Sequence, residues 1–254
     1  MEFLFDTVNI PDILQYGKCF PYTGVTSNPS IIKADFIKSG VKSKAMKSET
    51  MKSEAMKSEA VKAKVNIDFF GHFREIRRVI GDERSLHIQI LAQDCDGILA
   101  EADAILSNVD ELVYIKIPTT MAGLEAMQAL KKRGVNVTAT AIYSKIQGFM
   151  AIAAGADFIA PYYNRMENQD VDSCDTIRTL TSVIDAKGLA SKVVAASFKN
   201  IAQVNNAIAA GAHSVTVQPA LLKEALGMAS IAKAVEDFAG DWVDVVGGVG
   251  ILDL

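Results

Sequence analysis

Cysteine, histidine and long apolar runs are scarce in this chain, and each scarcity removes a class of protein. The cysteines are three, Cys19, Cys95 and Cys174. An odd number without paired-ligand spacing excludes a disulfide framework and reads as free thiols of a reducing compartment. His72, His87 and His213 stand far apart in sequence and in no ligand motif, so no metal is expected. No uninterrupted apolar run reaches the ~18 residues that suggest a membrane span, and the opening Met1-Glu2-Phe3-Leu4-Phe5-Asp6 carries acidic residues where a leader would be basic. A cytoplasmic address without a membrane partner is the expectation. A net charge of -4 gives no reason to expect nucleic acid as a partner. What the chain has in quantity is apolar bulk: 50% of its 254 residues are hydrophobic, enough to bury a large core without disulfides or structural metal.

The periodicity alternates strands with helices, the pattern of a parallel α/β fold. Strands are predicted at Glu2 to Asp6, Thr23 to Thr26, Ser85 to Leu91, Leu112 to Pro118, Val135 to Ile142, Asp157 to Ala160, Val193 to Ala196 and Ser214 to Val217. Between them come helices at Asn9 to Gly17, Asp94 to Ser107, Thr119 to Arg133, Ser144 to Ala154, Asp172 to Ala186 and Asn200 to Ala210. The third of these has apolar Met121, Leu124, Met127 and Leu130 and a basic last turn before Gly134. Ser27 to Ser30 reads as a strand-to-helix loop and Pro161 to Arg165 as the exit loop of strand six. Pro219 to Leu226 and Ala229 to Phe238 close the series as helices, ahead of a Gly-rich end over 239–254 that is expected to be mobile. Eight strands in a chain of this length fit one (β/α)8 barrel over residues 1–254.

Val41 to Val65 breaks the rhythm, dividing into the pentads VKSKA, MKSET, MKSEA, MKSEA and VKAKV. A five-residue period turns through about 500° on an α-helix, so Met46, Met51 and Met56 fall about 140° apart and form no apolar stripe. Seven lysines and three glutamates give the segment +4, leaving -8 on the remainder. It reads as a solvated low-complexity insertion, marginally helical or disordered.

One lysine needs explaining. In Leu112-Val113-Tyr114-Ile115-Lys116-Ile117-Pro118, alternation puts Leu112, Tyr114 and Lys116 on one side and Val113, Ile115 and Ile117 on the other, so both faces are apolar. An ammonium buried there incurs a desolvation cost that lowers its pKa toward neutrality and makes the amine a candidate nucleophile. Alternatively it snorkels from the strand end into solvent. Barrel active sites lie at the C-terminal strand ends, where this chain places Asp6, Thr26, Asn28, Gln89, Lys116, Thr140, Tyr162 with Arg165, and Ser197. Singly, each has an ordinary explanation as a cap or packing residue; their common level is what singles them out.

Asp6-Thr7, Gly24-Val25-Thr26-Ser27-Asn28-Pro29-Ser30, Ile115-Lys116-Ile117-Pro118, Ala160-Pro161-Tyr162-Tyr163-Asn164-Arg165 and Ala195-Ala196-Ser197-Phe198-Lys199 together resemble the small transaldolase family, and within it the fructose-6-phosphate aldolase branch. The resemblance spans nearly the whole chain apart from the pentads and the last dozen or so residues. It implies a (β/α)8 barrel whose fourth-strand lysine, here Lys116, forms a Schiff base with a ketose or dihydroxyacetone, in a pentamer or decamer. Transaldolases proper resemble one another in having glutamate where this chain has Gln89 and phenylalanine where it has Tyr162. The branch with glutamine and tyrosine is the one in which the tyrosine hydroxyl, through a water held with the glutamine and a threonine, serves in proton transfer.

The chemistry of the residues agrees. Cleaving a carbon-carbon bond beside a carbonyl leaves a carbanion that needs an electron sink, and a protonated imine on Lys116 is such a sink. Asp6 is suited to proton movements during imine formation, and Tyr162 with Thr140 and Gln89 to the proton of the cleaved hydroxyl. Asn28 and Thr26 are candidates for sugar hydroxyls, Arg165 and Ser197 for a phosphate. No cofactor is needed. A transaldolase carrying a dihydroxyacetone unit between sugar phosphates is the nearest alternative. A catalytically silent scaffold, or a binding protein using only Arg165, Ser197 and Asn28, would leave Lys116 without a purpose.

Overall fold

The computed structural model describes residues 1–36 and 68–253, so the pentads of Val41 to Val65 lie outside the described residues. Eight parallel strands close into a barrel in chain order: β1 (Glu2–Asp6), β2 (Gly24–Thr26), β3 (Ser85–Gln89), β4 (Tyr114–Pro118), β5 (Val137–Ile142), β6 (Phe158–Pro161), β7 (Lys192–Ala195) and β8 (Ser214–Val217). β8 pairs back onto β1, Leu4 opposite Thr216, and no edge remains open. The helices are α1 (Ile10–Tyr16), α2 (29–36), α3 (Phe69–Ile80), α4 (Cys95–Asn108), α5 (Met121–Lys132), α6 (Lys145–Ala153), α7 (Tyr163–Glu167), α8 (Ser173–Ala186), α9 (Ile201–Ala209), α10 (Pro219–Leu226) and α11 (Ala229–Val246). No helix among the described residues is long and apolar enough to cross a membrane.

Period-two alternation divides the strands into two packing layers. Phe5, Val25, Ile88, Ile115, Ile117, Val193 and Val215 join the large core beneath the helices. Leu4, Phe158, Ala160 and Val194, with Tyr114 against them, form a separate cluster, the apolar filling of the barrel itself. Both faces of β4 are thus occupied, and Lys116 is buried to 2% exposure.

The boundaries moved for identifiable reasons. Leu112 and Leu91 lie outside β4 and β3 and are exposed, and β5 starts at Val137, two residues later than Val135. Met121, expected on the buried stripe of α5, is 91% exposed, and Leu124 is only partly buried. The buried face is Gly123, Ala126, Met127 and Leu130, the 3, 4, 7 spacing of a helix; steps of three drift off it. Gly123 is required there, because a Cβ would sit 2.1 Å from the carbonyl oxygen of Pro118, which lets α5 fold straight back on the end of the lysine strand. Pro161 to Arg165, expected as a loop, closes β6 and then turns into α7, anchored by buried Tyr163 and Met166 and by a hydrogen bond from Ser173 Oγ to the Tyr163 carbonyl. α11 continues past Phe238 to Val246, where Gly247 caps it at φ 69.

Candidate functional site

Three elements converge on the amine. Lys116 comes from β4, which pairs it with Gln89 of β3, and its Nζ donates to the carbonyl oxygen of Ser27 at 2.9 Å. Asp6 ends β1. Thr26, its register partner on β2, donates to Asp6 Oδ1 at 2.8 Å, and the Thr26 hydroxyl also lies 2.6 Å from that of Thr216. Burial lowers the pKa of Lys116, with the Asp6 carboxylate pulling it back up. Burial raises that of Asp6, which Lys116 and the Thr26 hydrogen bond oppose. Each therefore limits the other's loss of charge, while burial makes the amine easier to deprotonate than that of an exposed lysine.

Opposite them stands Tyr162. The β5–β6 register shifts between Ala139 and Ile142, and Ala141 in that bulge takes φ 56, a left-handed conformation that costs a residue with a Cβ about 1 kcal/mol. Thr140 Oγ1 donates to the Tyr162 oxygen at 3.0 Å, and the Ala141 backbone in the bulge acts in the same direction on the tyrosine, lowering its pKa slightly. With Thr140 donating to its oxygen, Tyr162 has its own proton to offer to the cavity it lines. Its pKa is raised, chiefly by burial, so that proton stays on at neutral pH. Gln89 Oε1 is buried and has no hydrogen-bond donor among the described residues. An acceptor left so is costly unless water or a ligand satisfies it.

These groups wall a cavity of about 450 Å³ at the C-terminal mouth of the barrel. Asp6, Asn28, Gln89, Lys116, Tyr162, Arg165 and Ser197, seven of the nine residues singled out in the sequence, line it. Thr26 and Thr140 stand behind the wall, bonded to Asp6 and Tyr162. Asn28 accepts from the amides of Ser30 and Ile31 with its Oδ1, capping α2, so only its amide nitrogen is available to a ligand. Arg165 lies with its guanidinium 5.1 Å from the Tyr162 ring centroid and donates to the Tyr143 hydroxyl at 3.2 Å. Ser197 takes φ 66 ahead of α9. Tyr143, Lys199, Thr216 and Gln218 also line the cavity and were not singled out in the sequence. The signal for two of them was present, since Ser214, Thr216 and Gln218 alternate as polar residues along β8 and its exit.

The chain matches the model of the family described as Transaldolase/Fructose-6-phosphate aldolase over residues 3–245. It belongs to that family. It is also 45% identical over 242 residues to a protein of Streptococcus pneumoniae (strain ATCC 700669 / Spain 23F-1) called a probable fructose-6-phosphate aldolase, covering 95% of this chain and 96% of the relative. In this transaldolase/aldolase family member, the buried lysine, its carboxylate neighbour and the tyrosine therefore face one chamber in an enzyme family whose two named activities both handle ketose carbon chains.

Proposed function

We propose that the protein is a Schiff-base aldolase that reversibly cleaves fructose 6-phosphate to dihydroxyacetone and glyceraldehyde 3-phosphate, without a cofactor. The observation that carries this is a buried Lys116, its pKa lowered by desolvation, that lines one cavity together with Tyr162. The neutral amine adds to the ketose C2 carbonyl, and the carbinolamine loses water to leave a protonated imine, with Asp6 passing the protons and Thr26 holding Asp6 in place. Removal of the C4 hydroxyl proton then breaks the C3–C4 bond. The electron pair passes into the imine to give an enamine on Lys116, and the aldehyde leaves. The water that satisfies Gln89 accepts that proton, and the protonated Tyr162, with Thr140 behind it, orients this water and relays the proton on to C3 of the enamine. Protonation of the enamine at C3 and hydrolysis release dihydroxyacetone and restore the amine. Asn28 holds a sugar hydroxyl through its amide, and the phosphate lies between Arg165 and Ser197.

Gln89 and Tyr162 support cleavage over transfer, since they supply the water and the acid that let the bound unit leave. The transaldolase alternative predicts turnover only in the presence of an acceptor aldose. Incubating the protein with fructose 6-phosphate alone and measuring aldehyde decides the matter: release without acceptor is expected, and its absence with turnover restored by an aldose phosphate rejects the aldolase reading.

We place the enzyme in the cytoplasm, in keeping with its three free cysteines. A homo-oligomer, pentameric or decameric as the family resemblance implies, is supported by α11. That helix buries none of its residues and leaves Ile231, Val235 and Phe238 exposed at helical spacing. Light scattering on the full chain tests the assembly.

A further inference from the structure

We propose that Gln203 is a positioning residue for phosphate recognition, locking the loop after β7 and the helix after β6 into one unit. The proposal rests on the assignment of the phosphate to Arg165 and Ser197. Those two residues belong to separate elements: Arg165 to α7, and Ser197 to the turn that leads into α9. Two such elements keep a phosphate-sized spacing only if something ties them together.

Gln203, in the first turn of α9 and 8% exposed, is that tie. Its Oε1 accepts from the backbone N–H of Lys199 at 2.8 Å, which holds the turn carrying Ser197 and Lys199 down on the helix. Its Nε2 donates to Asn164 Oδ1 at 3.1 Å and to Glu167 Oε2 at 2.6 Å, the residues on either side of Arg165 in α7. Every hydrogen of the amide and its oxygen are thus engaged. Backbone bonds along the same seam, Tyr163 N–H to the Ala196 carbonyl and Asn164 N–H to the Ser197 carbonyl, run in parallel, so the amide adds to an existing seam and the fold does not depend on it alone. On the other side, Gln147 repeats the arrangement at the first turn of α6: its Oε1 accepts from the amide of Tyr143, the residue whose hydroxyl receives a bond from Arg165. One glutamine therefore fixes the body of Arg165's helix, and the other fixes a partner of its guanidinium. Gln203 does not line the cavity, and its effect passes through Arg165 and Ser197.

The test is run in the synthetic direction with dihydroxyacetone and either glyceraldehyde 3-phosphate or unphosphorylated glyceraldehyde. Gln203→Met keeps length and volume but loses all three bonds. Its KM for the phosphorylated aldehyde should rise by about 10-fold, since misplacements of about an ångström are expensive, with KM and kcat for glyceraldehyde within about 2-fold of wild type. Gln203→Glu keeps the acceptor for Lys199 but sets a carboxylate against Glu167 and should raise the same KM at least as far. Adding Glu167→Gln returns an amide donor across the contact and should recover most of the loss. This pair also serves if the methionine variant fails to fold. A KM rise shared equally by the two aldehydes, or no rescue by the second substitution, overturns the proposal. If wild type distinguishes the aldehydes and both Gln203 variants do so equally well, the positioning role is wrong and the phosphate site stands. If wild type makes no distinction, the phosphate assignment itself fails and takes the proposal with it.

Discussion

Lys116 and His87 occupy neighbouring strands of one barrel, both inside it and both buried, and they end in opposite conditions. His87 is fully matched: its Nδ1 lies 2.7 Å from Thr138 Oγ1, its Nε2 lies 2.9 Å from Ser85 Oγ, its ring stacks on Tyr114, and Phe158 meets it edge-on. Burial, then the charges of Lys116 and Arg77, lowers its pKa to about 3, so it is a neutral packing element at physiological pH. Lys116 has one carbonyl partner and an open chamber beside it. Both bases are desolvated, but only Lys116 has unfilled space beside it, which is what a nucleophile needs. The His87 layer of the barrel interior is spent on packing, and the mouth above it holds an open cavity with the Gln89 Oε1 acceptor unmatched among the described residues.

The sharpest way to break this contrast is Lys116→Ala. Turnover should fall below detection with the melting midpoint nearly unchanged, because the change removes a desolvated amine rather than a packing residue. Borohydride with dihydroxyacetone should add mass to the wild type at Lys116 and not to the variant. Label on another lysine, or activity comparable to wild type, would remove the central assignment.

Next in size is Tyr162→Phe. The ring still meets Tyr143 and Arg165, so stability should hold, while aldehyde release drops about 10²-fold, the usual scale of a general acid-base contribution. Combining it with Gln89→Glu should favour transfer of the bound unit to an added aldose over its release, read by assaying both reactions on wild type, single and double variants. A Tyr162→Phe enzyme that releases aldehyde at the wild-type rate would place the proton elsewhere.

Asp6→Asn addresses the charge balance directly. Asp6 raises the pKa of Lys116, so removing its charge lets burial lower that pKa further, and the acid limb of borohydride trapping should move to lower pH. At the same time the maximal rate should fall by about 10-fold or more, because a proton carrier is lost. A limb that moves to higher pH would contradict the pairing.

The smallest effect on activity is expected from His87→Phe, with kcat within about 2-fold of wild type. Its consequence lies in stability. The unfolded chain takes up a proton at a histidine below about pH 6.5, the folded one only near pH 3. Unfolding therefore binds a proton in that window, and wild-type stability should decline as pH is lowered through it. Phenylalanine has no proton to gain, so urea midpoints at pH 7 and pH 4.5 should lie closer together in the variant. An unchanged gap would assign the acid sensitivity to the carboxylates.

The sequence by itself determined the eight-strand alternation, the level of Asp6, Gln89, Lys116 and Tyr162 toward the strand ends, and the helix starts at Asn9, Asp94, Asp172 and Asn200, each of which proves to be a cap that accepts from its first turn. Those features follow from local rules: a period of two or 3.6, and an amide that needs a side-chain acceptor at a helix start. The motifs likewise fixed the family, because several ordered stretches must agree at once. Only the tertiary structure decided that Thr26 and Thr140 serve the side chains in front of them, and that Thr216, Tyr143 and Lys199 share the chamber. It also decided that a short helix carries Arg165 and that Gln203 ties this helix to the turn holding Ser197. These depend on which strand lies beside which, and on hydrogen bonds between residues tens to nearly two hundred positions apart. Periodicity along a chain carries no record of such distances; closing β8 onto β1 is what brings Thr216 against Thr26.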